Sequence, residues 1–243
     1  MVLSLLALAL SAQDSVGSSF AGQWNDAKAL ALAYGNYDSK SRTVRGEYSH
    51  GKATPFSLLE SSEWSGGGKT YRLVFTIGDS GMDHIESGCY GCMRILGGAV
   101  FEREIWPNHG PVWVLIHLAR QIDTDSFGDG PKGRIVTMGD AAPALRTSVA
   151  SISFGTLTES AVIFAFVNGK FQKVCRTETQ FLRPKSDFGK EETRITTLGF
   201  DHASHQGVFD LVINGPQPNT VAVYEWDGKR YLHAVTRQPL YRP

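Results

Sequence analysis

Tyr71, Leu73, Phe75 and Ile77 alternate with Arg72, Val74 and Thr76, the period-two pattern of a half-buried β-strand. Residues 112–119 and 161–167 are instead nearly continuous apolar runs. They are too short for typical helices and predict central strands covered on both faces. The second run leads into Asn168-Gly169 and then residues 170–174, and residues 221–226 lead into Asp227-Gly228 and then residues 229–232. Asn-Gly and Asp-Gly accept the positive φ angles of tight turns, so both segments predict β-hairpins. A strand at 208–213 runs into Asn214-Gly215-Pro216, which makes residues 207–236 a predicted three-stranded meander. Helical character is confined to residues 27–34, rich in Ala and Leu, and to a short piece around residues 56–63. The predicted fold class is mainly β: antiparallel sheets or a sandwich built from hairpins and meanders, with a small helical part near the N-terminus.

Gly, Ser, Asp and Pro predict loops at residues 65–69, 78–91, 107–111, 123–133 and 184–190. Polar and charged residues continue from the last of these through Arg194, so residues 184–194 are either a long hairpin loop or a point of subdivision. The expected organisation is one β-rich domain over residues 13–243. Gly-Lys followed by an aromatic recurs around Lys69, Lys170 and Lys229, and hairpin chemistry accounts for it without a repeat architecture.

Residues 2–10 are apolar or small apart from Ser4, and the chain turns polar at Gln13 and Asp14. A bilayer-spanning helix needs about 20 apolar residues, so this run is too short to cross. Small residues around Ala9 and Ala12 match the end of a secretory signal, although no Lys or Arg precedes the run. Residues 1–12 are therefore expected to direct export, and the mature chain is expected to be periplasmic or secreted without a transmembrane segment.

Composition narrows the function classes. Of 243 residues, 42% are hydrophobic and 20% charged, which fits a packed globular chain. The 24 basic residues are balanced by 24 acidic ones. No overall positive field exists to hold nucleic acid, which is not expected as a partner.

Cys89 and Cys92 form a Cys-Tyr-Gly-Cys pair, and Cys175 stands apart. In an oxidising compartment the close pair is expected to bridge as a local disulfide. The same spacing suits thiol-disulfide exchange if a helix start stabilises the first thiolate. Residues 93–96 are followed at once by Gly97-Gly98, which leaves little room for such a helix. Covalent haem is excluded, since Met93 stands where a His would follow the second Cys.

Ser80, in Gly78-Asp79-Ser80-Gly81, is a hydrolase candidate. It follows a strand and resembles the Gly-Asp-Ser lipases and esterases at this tripeptide, but Asp201 and His205 are one residue too far apart for their Asp-x-x-His. A chymotrypsin-like arrangement fails because His50 is the sole upstream His. Residues 123–129 begin like a calcium loop, yet Phe127 fills a ligand position and Arg134 replaces the bidentate Glu, which excludes an EF-hand. Asp201, His202 and His205 offer ligands for an open zinc site, with an exposed loop as the plainer reading. His117 reads as a core or edge-strand histidine, and Trp24, Trp64, Trp106, Trp113 and Trp226 as core packing.

The string Cys89-Tyr90-Gly91-Cys92, continuing through Gly98-Ala99-Val100-Phe101, resembles a pattern in uncharacterised exported bacterial β-rich proteins. There a Cys-x-x-Cys pair precedes a Gly-Ala-Val-Phe strand. Phe209-Asp210-Leu211-Val212 and the segment from Val223 to Tyr231 resemble a hairpin of periplasmic β proteins. The resemblance implies location and β content and assigns no activity and no cofactor. The expected function is a non-enzymatic binding or structural protein whose partner is a protein or an envelope component. The alternative is an enzyme, using Cys89 and Cys92 for thiol-disulfide exchange or Ser80 for hydrolysis.

Overall fold

The computed structural model describes residues 18–47, 53–79, 94–125, 133–139, 143–153, 155–185, 190, 192–205, 207–215 and 221–237. In chain order the elements are β1 (Ser19–Ala21), α1 (Asp26–Tyr34), β2 (Tyr37–Asp38), β3 (Thr43–Glu47), β4 (Ala53–Gly66) and β5 (Lys69–Asp79). Next come β6 (Arg94–Trp106), β7 (Gly110–Asp125), β8 (Arg134–Thr137), β9 (Pro143–Ser153), β10 (Thr156–Val167) and β11 (Lys170–Arg183). The chain continues with β12 (Glu192–Ile195), β13 (Thr197–His205), β14 (Val208–Asn214), β15 (Val221–Trp226) and β16 (Tyr231–Arg237). Among the described residues these strands form three antiparallel sheets. The first runs β1-β7-β6-β5-β4-β3-β2, the second β12-β11-β10-β9-β8 and the third β13-β14-β15-β16. The mainly β class with one short helix near the N-terminus is the observed class.

Three apolar clusters stack these elements into four layers. Ala29, Leu30, Ala33 and Tyr34 of α1 pack on Val74, Ala99, Phe101 and Trp113 of the first sheet. On that sheet's other face, Leu73, Phe75, Leu96 and Val100 meet Leu145, Val149, Val162 and Phe164 of the second sheet. The second sheet's far face sends Ala144, Ala161, Ile163 and Val174 against Leu198, Leu211, Ile213 and Trp226 of the third. The strand β10 is thus a wall between two cores, as its unbroken apolar run predicts. The strand β5 is not half-buried: Leu73, Val74, Phe75 and Thr76 are all buried, because α1 covers one face and the second sheet the other.

Local chemistry sets the helix. Asn25 caps it, its side chain accepting from the Lys28 amide at 2.9 Å. Residues 56–63 are not helical. They lie in β4 between β3 and β5, where strand alternation sends Leu58 toward α1 and Leu59 toward the second sheet, and a bulge between Leu58 and Glu60 shifts the phase so that Trp64 joins Leu59 on that face. Adjacent leucines that suggested a helix are a strand feeding two cores, a case of packing overriding propensity. Gly97-Gly98 likewise ends no helix and lies inside β6. A Cβ on Gly97 would sit 2.6 Å from Thr76 Oγ1 and Tyr34 Oη, which share a buried hydrogen bond of 2.6 Å. A Cβ on Gly98 would sit 2.7 Å from the Phe171 ring on the other face.

The predicted β10–β11 hairpin forms, with Asn168 and Gly169 at φ 53° and 74°, the left-handed values of a tight turn. The meander of β14, β15 and β16 also forms, with β13 added at its edge. Its last turn is longer than the Asp-Gly pair suggested. Trp226 pairs with Tyr231, and the Asp227 carboxylate holds the loop by accepting from the Lys229 and Arg230 amides, each at 2.8 Å. The two turns clasp each other through Asn168 Nδ2 to the Gly228 carbonyl (3.2 Å) and Gln172 Nε2 to the Lys229 carbonyl (2.9 Å). Across residues 184–191 the chain returns to the same sheet, where Arg183 pairs with Glu192. No helix among the described residues is long and apolar enough to cross a membrane.

Candidate functional site

Where the second and third sheets diverge, a cleft of 420 Å³ opens, lined from β8 by Arg134, from β9 by Arg146 and Ser148, and from β10 by Glu159 and Ala161. Thr179 of β11, Thr196 and the start of β13 at Thr197 and Leu198 close it. Sheet register brings these residues together. Arg134 pairs with Arg146, and Arg146 with Ile163, so both guanidinium-bearing side chains leave the sheet on the face that carries the third sheet.

Arg146 is half-buried and donates from Nη1 to the Leu198 carbonyl at 3.2 Å, which ties β9 to the third sheet. Burial and the neighbouring Arg134 charge lower its pKa. Among the described residues neither arginine, nor Glu159, has an ion-pair partner. Like charges directly opposite each other on an antiparallel pair are destabilising. The Thr179 hydroxyl donates to the Glu159 carbonyl at 3.2 Å, and the Thr196 amide to the Thr179 carbonyl at 2.8 Å, fixing that wall of the cleft.

The row continues beyond Ile163 to Cys175, a free thiol beside a second hollow of 240 Å³ shared with Tyr224, Arg230 and Tyr231. Burial pushes its pKa up to about 11, with Arg146 acting in the opposite sense. It is held as a thiol. Two further hollows flank β2, and their acidic groups are already engaged. Asp38 accepts from the Lys40 amide (2.8 Å) and the Ser41 hydroxyl (3.0 Å). Asp26 accepts from Trp24 Nε1 (2.7 Å) and the Ser61 hydroxyl (3.4 Å).

The residues singled out from the sequence fall elsewhere. Cys89, Cys92 and Ser80 lie outside the described residues; β5 ends at Asp79, one position before Ser80. Asp201, His202 and His205 are not on a loop but on β13, where His205 pairs with Val208; the side chains of His202 and His205 lie outside the described residues. Among the described residues no group of three or more His, Cys, Asp and Glu side chains is placed to hold a metal ion. Asp123 sits in β7 with its carboxylate 2.6 Å from Lys173 Nζ; residues 126–132, the rest of the calcium-like segment, lie outside the described residues. His117 packs between Phe166 and Phe171, at 5.1 and 5.6 Å, and burial lowers its pKa. Trp24, Trp113 and Trp226 are packed in the cores, whereas Trp106 is 40% exposed at the β6–β7 turn.

The cleft residues carry no local motif. Arg146 gives the one sequence cue, as a charge on the β9 face whose earlier position is the buried Ala144. Compared with known protein families, curated proteins and solved structures, the chain matches none.

Proposed function

We propose that this is an exported, non-enzymatic binding protein that holds a small ligand in the cleft between its second and third sheets. One observation carries the reading: two guanidinium groups, a carboxylate and several hydroxyls converge on a cleft of 420 Å³ without ion-pair partners among the described residues. Pockets of roughly 300–1,000 Å³ with a few converging polar groups are the usual form of small-molecule sites. The groups sit on paired strands, and a rigid scaffold suits binding because little ordering entropy is lost when the ligand arrives. Cys175, which pairs with Ile163 in the same register row as Arg146, is half-buried and protonated, which supports binding over covalent chemistry there.

Backbone amide spectra of isotope-labelled protein, recorded with neutral sugars, sugar acids, amino acids and phosphate in turn, test the reading. Saturable shifts are expected at residues 146–148, 159–161 and 196–198. Shifts confined to other parts of the molecule, or none with any compound, would refute it. The export half of the proposal rests on residues 2–12, and mass spectrometry of protein from its native host should place the mature N-terminus between residues 10 and 14. An intact Met1 would count against export.

A further inference from the structure

Resting on the cleft as a binding site, we propose that its ligand is a small hydroxylated organic acid. Its carboxylate lies between Arg134 and Arg146, and its hydroxyl groups face Glu159 and Thr197. The charge pattern selects this class. Arg134 and Arg146 stand directly opposite each other on β8 and β9, and a planar guanidinium matches a carboxylate's two oxygens with parallel hydrogen bonds. Arg146 spends one donor on the Leu198 carbonyl, which orients the group and leaves its other N–H donors for an acid. Placing an anion between the two cations also removes their mutual repulsion.

Glu159 limits what that anion can be. A carboxylate only accepts hydrogen bonds, so it repels a bare anion and attracts a donor. Two guanidiniums and one carboxylate leave a net single positive charge, which a monovalent acid neutralises and a doubly charged phosphate exceeds. Ser148 and Thr197 add hydroxyls that donate or accept, while Ala161 and Leu198 supply the apolar contact that the C–H face of a sugar ring uses. The ligand therefore needs three features together: one carboxylate, neighbouring hydroxyl donors and a compact carbon skeleton.

Calorimetric titration of the full chain at constant ionic strength tests this with galacturonate, galactose, acetate, L-serine and inorganic phosphate. Galacturonate is expected to bind at least tenfold more tightly than galactose, acetate or phosphate. Arg146→Met and Arg134→Met should each weaken it tenfold or more, while Glu159→Gln, which keeps an acceptor, should cost only a few-fold. Arg134→Met removes one of two facing cations, and Arg134 makes no side-chain hydrogen bond among the described residues, so this variant should not lower the melting temperature of the unliganded protein, which separates lost binding from lost folding. If Arg146→Met does not fold, Arg146→Lys serves instead: an ammonium cannot make the two parallel hydrogen bonds to the carboxylate, so affinity should still fall.

Galactose binding as tightly as galacturonate would overturn the acid requirement. If that binding is abolished by Ser148→Trp, which fills the cleft, the cleft itself stands as a ligand site. L-serine binding more tightly than galacturonate, and losing that advantage in Glu159→Gln, would replace the hydroxyl donor by an ammonium and overturn the assigned class. Failure of galacturonate to bind overturns the inference, and the amide-shift survey then decides separately whether the cleft binds anything.

Discussion

Removing the Phe164 side chain should destabilise the whole molecule, because that ring fills the core between the first two sheets. Phe164 is fully buried among Leu73, Phe75, Leu96, Val100 and Leu145, with Lys173 Nζ 5.9 Å from its ring centre. Two hydrogen-bonded sheets hold the walls apart, so the space left by Phe164→Ala collapses little. Phe→Ala changes in cores cost about 3–5 kcal/mol, and limited collapse favours the upper part of that range. With a urea dependence of about 2.5 kcal/mol/M, the unfolding midpoint should fall by about 1–2 M. The neighbouring Ile163 faces the opposite core, and Ile163→Val should cost about 0.5–1.5 kcal/mol. Urea unfolding followed by tryptophan fluorescence and circular dichroism measures both. If β10 is the shared wall of one cooperative stack, the two signals move together in both variants. A Phe164→Ala midpoint within about 0.3 M of wild type, or separate transitions for the two signals, would refute the layered packing.

Gly169 has φ 74° and open space where a Cβ would stand, so Gly169→Val meets backbone strain alone; a loss of about 1–3 kcal/mol is expected, and an unchanged melting temperature would contradict the turn geometry. Tyr34→Phe leaves the buried Thr76 hydroxyl without its 2.6 Å partner and should cost about 1–3 kcal/mol, part of which Thr76→Val recovers when both are changed; strictly additive losses in the double-mutant cycle would deny the coupling. Burial raises the Cys175 pKa from 9.0 to about 11, so the folded state holds this proton more tightly than the unfolded chain. The resulting stability is complete below pH 9 and lost as pH rises through about 11. With Cys89 and Cys92 replaced by Ser, iodoacetamide should modify the native thiol at pH 8 about a hundredfold more slowly than in urea, and equal rates would contradict the burial.

What the sequence made legible was what short segments decide. The Asn168-Gly169 turn, the apolar run of β10 and the capped helix near the N-terminus each follow from a few consecutive residues. Residues 56–63 were illegible because both faces of β4 meet a core, so apolar residues stand at adjacent positions, and a bulge at Leu59 interrupts the period-two pattern before Trp64. The strand β5 looked half-buried because polar Arg72 and Thr76 alternate with apolar residues, yet Thr76 is buried against Tyr34. The cleft was unreadable for a related reason: Arg134, Arg146, Glu159 and Thr197 are scattered along the chain and meet only through the register of the second sheet. Local motifs drew attention instead to Cys89, Cys92, Ser80 and the Asp201, His202 and His205 group.

The most direct test of the cleft as a site for an acidic ligand is to watch its two guanidinium groups. In side-chain Nε–H spectra of labelled protein titrated with galacturonate, two arginine signals should shift along one saturable curve. They should be the signals missing from Arg134→Lys and Arg146→Lys, and each substitution should weaken the response of the remaining partner. Arginine signals that do not move, or shifts shared evenly by arginines far from the cleft such as Arg45 and Arg103, would contradict the account.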